Sequence, residues 1–162
     1  MTDFAGLLKA LGGAGVEFVL VGGAAAAAHG SSRLTLDLDV VYARNPENLH
    51  RLVSALAQHN PYLRGAPPGL PFRWNVATLE NGLNFTLITS IGAIDLLGEI
   101  TGGGPYESLL PDTVVITVYG VQCRCLSLRR LIATKRAAGR PRDLEVIAEL
   151  EAILEEEGER GP

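Results

Sequence analysis

Asp37 and Asp39 stand two apart in the run Arg33-Leu-Thr-Leu-Asp-Leu-Asp-Val-Val. In a strand, that spacing projects both carboxylates from one face and turns Leu38 and Val40 to the other. Two carboxylates so close repel each other unless a cation lies between them. Hard oxygen ligands favour Mg²⁺ or Mn²⁺, which keep several waters and take phosphate oxygens in their remaining positions. Two-metal phosphoryl or nucleotidyl transfer needs a further acid to hold the second ion and help activate the nucleophile. Asp95 is the candidate, because it interrupts the apolar strand Ala93-Ile-Asp-Leu-Leu97. A lone Asp there is costly unless a charge pairs with it, or unless it is a strand-end acid facing solvent. Upstream, Gly22-Gly23 ends an apolar run. Glycines let backbone approach a phosphate, and the start of the alanine-rich helix that follows favours negative charge.

Cations for the same anion are available. Leu128, Leu131, Ile132 and Lys135 fall on one helical face. A lysine in line with an apolar stripe either snorkels to the edge or enters a site that needs its charge. Arg33 precedes the metal strand and could reach a phosphate, steady the acid pair, or lie on the surface. Arg129, Arg130, Lys135, Arg136, Arg140 and Arg142 form a stretch without acids. That local positive surface is hidden by a net charge of −4, which argues against general nucleic-acid coating. His29 reads as a cation at a helix C-terminus or a half-buried hydrogen-bonded residue, Asp143 as a first-turn acid able to pair with Arg140 or Lys135. Phe72 and Trp74 read as a hydrophobic anchor.

The elements that must position these groups follow from caps and periodicity. Asp3 caps a helix through Leu11, and Glu17–Val21 is a buried strand. Ala24–Ala28 is helical, and Thr35–Tyr42 is the acid-bearing strand. Asn45-Pro46 opens a helix to His59, and Pro61–Pro71 is a surface loop. Asn81-Gly82 signals a hairpin between strands at 73–79 and 84–89. Ala93–Leu97 is a strand, 102–105 a flexible connection, and Thr113–Tyr119 pairs with Val121–Leu126 about Gly120. Ser127 caps a helix that Gly139 stops, and Pro141 begins the last helix. The expected class is α+β, with helices packed on a mixed central sheet.

The 162 residues, 47% of them apolar, suit one domain over 1–154 with an acidic, disordered tail over 155–162. The longest apolar run, residues 18–28, is too short to span a bilayer, and no basic segment precedes an apolar stretch at the N-terminus. The expectation is therefore no membrane and a cytoplasmic location. Cys123 and Cys125 would share one face of a strand about 6.5–7 Å apart, at the outer limit for a disulfide, so two reduced thiols are expected.

The Gly-Gly turn after an apolar strand, followed by Arg-x-Thr-x-Asp-x-Asp, resembles the polymerase-beta-type nucleotidyltransferase superfamily. It is most similar to the small bacterial branch of minimal nucleotidyltransferases and abortive-infection-type toxins. The likeness covers Phe18–Tyr42 and extends loosely to Asp95 and to Leu128–Leu144. It implies a nucleotidyltransferase fold with Asp37, Asp39 and Asp95 as catalytic metal ligands. It also implies Lys135 at the phosphates of an ATP-like nucleotide and Mg²⁺ or Mn²⁺ as cofactor; with the readings of the glycine turn and of Arg33 above, the expected nucleotide-binding set is Gly22, Gly23, Arg33 and Lys135. Where many members have Gly-Ser, this chain has Gly23-Ala24, so backbone amides would replace a hydroxyl. The implied activity moves a nucleoside monophosphate from an NTP to a hydroxyl of RNA, protein or a small molecule, within a toxin–antitoxin pair. A non-catalytic nucleotide-binding or antitoxin-like module is the alternative.

Overall fold

The structure is a computed structural model that describes residues 1–159. Helix α1 (Phe4–Gly13) starts where the Asp3 carboxylate accepts the Gly6 N–H, and buries Leu7, Leu8 and Leu11. Strand β1 (Phe18–Val21) is buried throughout and runs into helix α2 (Gly22–Ala28). Strand β2 (Asp37–Tyr42) carries the acid pair. Helix α3 (Pro46–Leu56) has Asn45 as its cap and continues as a 3₁₀ turn to His59.

The middle of the chain departs from the expected pattern. Residues 61–71 contain strand β3 (Tyr62–Leu63), so part of the expected loop joins the sheet. The expected strand at 73–79 is instead helix α4 (Val76–Asn81), with the Asn75 side chain accepting the Thr78 N–H. Asn81-Gly82 therefore ends a helix, and Leu79 is fully buried beneath it. Strand β4 (Phe85–Thr89) turns back into strand β5 (Gly92–Leu97). The glycines at 102–104 close a small ribbon of β6 (Glu99–Ile100) and β7 (Gly104–Pro105). A short helix α5 (Tyr106–Leu109) follows.

Strands β8 (Thr113–Val118) and β9 (Val121–Leu126) form the expected hairpin. Tyr119 and Gly120 both have positive φ, 51° and 76°, as a two-residue turn of this hand requires. Cys123 and Cys125 are free and buried in β9, and burial pushes the Cys125 thiol up to about 12. Helix α6 (Leu128–Ala138) lies between its Ser127 cap and left-handed Gly139. Helix α7 (Pro141–Glu159) does not stop at 154: residues 155–159 are helical, and 160–162 lie outside the described residues.

The main sheet has the order β3-β4-β5-β2-β1-β9-β8. Pairs β2/β5 and β1/β9 are parallel and the rest antiparallel, so the fold is α+β on a mixed sheet. Leu38, Val40, Leu87, Ile94 and Leu96 are fully buried, which ties β2, β4 and β5 to the core. Strands β1 and β2 lie side by side.

One polar side chain fastens these strands to a helix. Asn48, fully buried in α3, accepts the Glu17 N–H at 2.7 Å and donates to the carbonyls of Glu17 and Ala43 at 3.0 and 2.7 Å. Those residues flank β1 and β2. Asn48→Ala leaves the Glu17 N–H and the Ala43 carbonyl short of a partner, while the Glu17 carbonyl keeps the Ala43 N–H, and should cost about 2–4 kcal/mol in urea unfolding, at the fluorescence midpoint. A loss below about 0.5 kcal/mol would mean that water replaces the amide.

Candidate active site

The site begins with strand register. Parallel pairing sets Asp39 opposite Asp95 and Asp37 opposite Ala93, so all three carboxylates leave the sheet from one face. One oxygen from each lies within 4.8 Å of the others. The reverse face of both strands is core, which blocks a one-residue slip that would exchange acids for leucines.

These carboxylates perturb one another. Burial, followed by the charges of Asp37 and Asp95, raises Asp39 to about 8, against a hydrogen bond from the Gly23 backbone. Asp37 is raised by burial and then by its hydrogen bond to Asp95 and that residue's charge, with Arg64 opposing. Three carboxylate oxygens converging at that distance suit a hard divalent cation such as Mg²⁺ or Mn²⁺.

Gly22 and Gly23 border the acids. Gly22 has φ +61°, and a Cβ there would collide with the Asp39 carboxylate. At Gly23 a Cβ would stand 2.9 Å from Thr35 Oγ1. The glycines thus make room for Asp39 and Thr35, a role their sequence position did not suggest. Ala24 is packed in the core.

The acids floor a cleft of about 840 Å³ whose rim includes Gly22, Gly23, Arg33, Lys135, Arg140 and Arg142. Lys135 extends the buried stripe of Leu128, Leu131 and Ile132, and its side chain is only 11% exposed. Burial lowers its pKa, while Asp143, with Nζ to Oδ1 at 3.8 Å, and more distantly Asp39 favour its charged form. Asp143 is itself buried, which raises its pKa. Hydrogen bonds from Arg140, with Nε at 2.8 Å, and the charges of Arg140 and Lys135 more than reverse this and hold it low. Arg33 reaches the rim, but its guanidinium is held by Glu145 at 2.9 Å.

Arg64 is the site residue that sequence reasoning missed. It follows β3 and sends Nη2 to Asp95 Oδ1 at 2.8 Å and Nη1 toward Asp37 Oδ2 at 3.5 Å. No spacing or periodicity marks it; only the pairing of β3 with β4, next to β5, delivers it. Other candidates stand apart from this cluster. Trp74 donates to the Val53 carbonyl at 3.0 Å, Phe72 meets Tyr62 edge-on, and His29 Nε2 is 2.8 Å from the Leu126 carbonyl.

The acid-free basic stretch is less free than its sequence suggests. Arg130 pairs with Asp112, Arg136 with Glu151, and both Arg140 and Lys135 with Asp143. No known protein family matches the chain, and no curated protein matches it.

Asp39 holds its proton to about pH 8 when folded, whereas an unperturbed aspartate loses it at 3.8, so the folded state binds more protons between those values. Stability in chelator therefore falls as pH rises across that window. Asp39→Asn should flatten this slope and raise Tm at pH 8 by about 5 °C or more. Thermal melts from pH 5 to 9 in EDTA check it, and a wild-type Tm that climbs across the range would contradict it.

Proposed function

We propose that this protein is a metal-dependent nucleotidyltransferase that moves a nucleoside monophosphate from an NTP to an acceptor hydroxyl. The observation that carries this reading is the convergence of Asp37, Asp39 and Asp95 on the floor of a cleft walled by Lys135 and arginines. Acids alone would repel a triphosphate; acids facing cations fit a metal–triphosphate complex with both signs of charge. Asp37, Asp39 and Asp95 would hold Mg²⁺ or Mn²⁺, which when bound neutralises phosphate oxygens and makes the hydroxyl a better nucleophile.

The chain's own groups divide the remaining work. The acceptor oxygen attacks the α-phosphorus, a new P–O bond forms, the α–β bridging P–O bond breaks, and pyrophosphate leaves. The hydroxyl proton passes to a carboxylate of the cluster, with Asp95 assisting, or to solvent. Lys135 faces the charge that develops on the leaving group, and Gly22 and Gly23 leave backbone exposed at the cleft wall. The acceptor would be RNA, a protein or a small molecule, with a toxin or antitoxin as partner protein. The pairing of most of the basic stretch gives RNA less support than the sequence did. A non-catalytic nucleotide-binding or antitoxin-like module draws its support from Arg64, whose charge already sits among the acids.

Incubation with each α-labelled NTP, Mg²⁺ and cell extract should label an acceptor, and Asp39→Asn should abolish the label. NTP affinity that is equal in chelator and in Mg²⁺, with no label from any nucleotide, would support the binding module instead. Lys135→Ala removes a charge-assisted contact of about 1.5–3 kcal/mol and should weaken NTP binding or turnover at least about tenfold. Full affinity and turnover in that variant would leave Lys135 as no more than Asp143's partner.

A further inference from the structure

Arg64 is anchored unequally. Its backbone N–H bonds the Thr86 carbonyl at 3.0 Å, and Nη2 spends its two hydrogens on the Leu87 carbonyl and on Asp95 Oδ1, both at 2.8 Å. Those bonds hold the guanidinium to β4 and β5. The arm toward Asp37 is 3.5 Å long, at the edge of hydrogen bonding. Nε is buried without a hydrogen-bond partner, so the side chain accepts an unsatisfied donor in order to lie here. An arginine kept for packing alone would not need to stand between two acids that repel each other.

We propose that Arg64 is the site's built-in counter-cation: it stays on Asp95 as a positioning residue and gives up Asp37 when a divalent cation binds. This inference rests on the reading of the three acids as a metal site. The firm arm holds one Asp95 oxygen and leaves the other toward the cluster. The weak arm supplies positive charge to Asp37 where metal would later supply more. A cation arriving alone must compete with the guanidinium, so binding without NTP is weak, and a triphosphate adds the ligands that tip the exchange.

The test is Mn²⁺ binding by calorimetry without NTP, on the full chain. Arg64→Gln, which keeps a polar amide at this position and loses the charge, should bind Mn²⁺ at least about fivefold tighter than wild type. Arg64→Lys, which keeps the charge, should stay within about twofold of wild type. Asp39→Asn should weaken binding about tenfold or more. Unchanged or weaker Mn²⁺ binding in folded Arg64→Gln, with Asp39→Asn still impaired, overturns the role of Arg64 alone. If Asp39→Asn binds as wild type does, the acids are not a metal site, and this inference fails together with the proposed function. Should Arg64→Gln not fold, ¹⁵N spectra of the wild-type guanidinium during Mg²⁺ addition decide: a shift of the Arg64 resonances supports the exchange, and none refutes it.

Discussion

Three carboxylates on adjacent strands repel one another, and much of the molecule around them answers that repulsion. The cost is visible in Asp39, which burial and its two neighbours raise to about 8. The cluster persists because the same strands are committed on their other face. Leu38, Val40, Ile94 and Leu96 are fully buried, so the acids cannot separate without losing the core. Each such side chain is worth about 1.5–3 kcal/mol in burial, enough together to outweigh the repulsion.

Around that fixed floor, other elements contribute space or charge. Gly22 takes a left-handed conformation at the end of β1, and without a Cβ it leaves room for the Asp39 carboxylate. Arg64 comes from the opposite side through the short β3, so the acids are flanked by a glycine turn and a guanidinium. Across the cleft, Ser127 and Gly139 set the ends of α6 and so place Lys135, while Asp143 at the start of α7 sits between Lys135 and Arg140. Buried Asp143 thus steadies a lysine that burial would otherwise tend to discharge.

The same balance of charges changes the reading of the basic stretch. As a string of residues, 129–142 is a block of positive charge. In the fold, acids from three places, Asp112, Asp143 and Glu151, take up much of it. Of that block, Lys135, Arg140 and Arg142 line the cleft, and the first two are paired with Asp143. Arg33 shows the opposite case, a cation at the rim whose exposed partner Glu145 is a surface pair of little worth, about 0–1 kcal/mol, and readily exchanged.

By itself the sequence determined what local rules control. Alternation with a period of two put Asp37 and Asp39 on one face; Asp3, Asn45 and Ser127 each capped the expected helix; and Gly120 marked the β8/β9 turn. Asp95 was legible because a charge in an apolar strand demands a partner. The sequence misled where a local signal had two meanings: Asn81-Gly82 suits a hairpin or a helix end, and the buried Leu79 under an Asn75 cap decided for the helix. Only the tertiary structure decided that Asp39 would face Asp95, that Asn48 would bridge the flanks of β1 and β2, and that Arg64 would enter the acids. Each depends on a pairing between segments 27 to 56 residues apart, as Asp37 and Arg64 are, or Glu17 and Asn48, or Asp39 and Asp95. Such pairings are fixed by competition among all strands for one core, which no window of sequence contains.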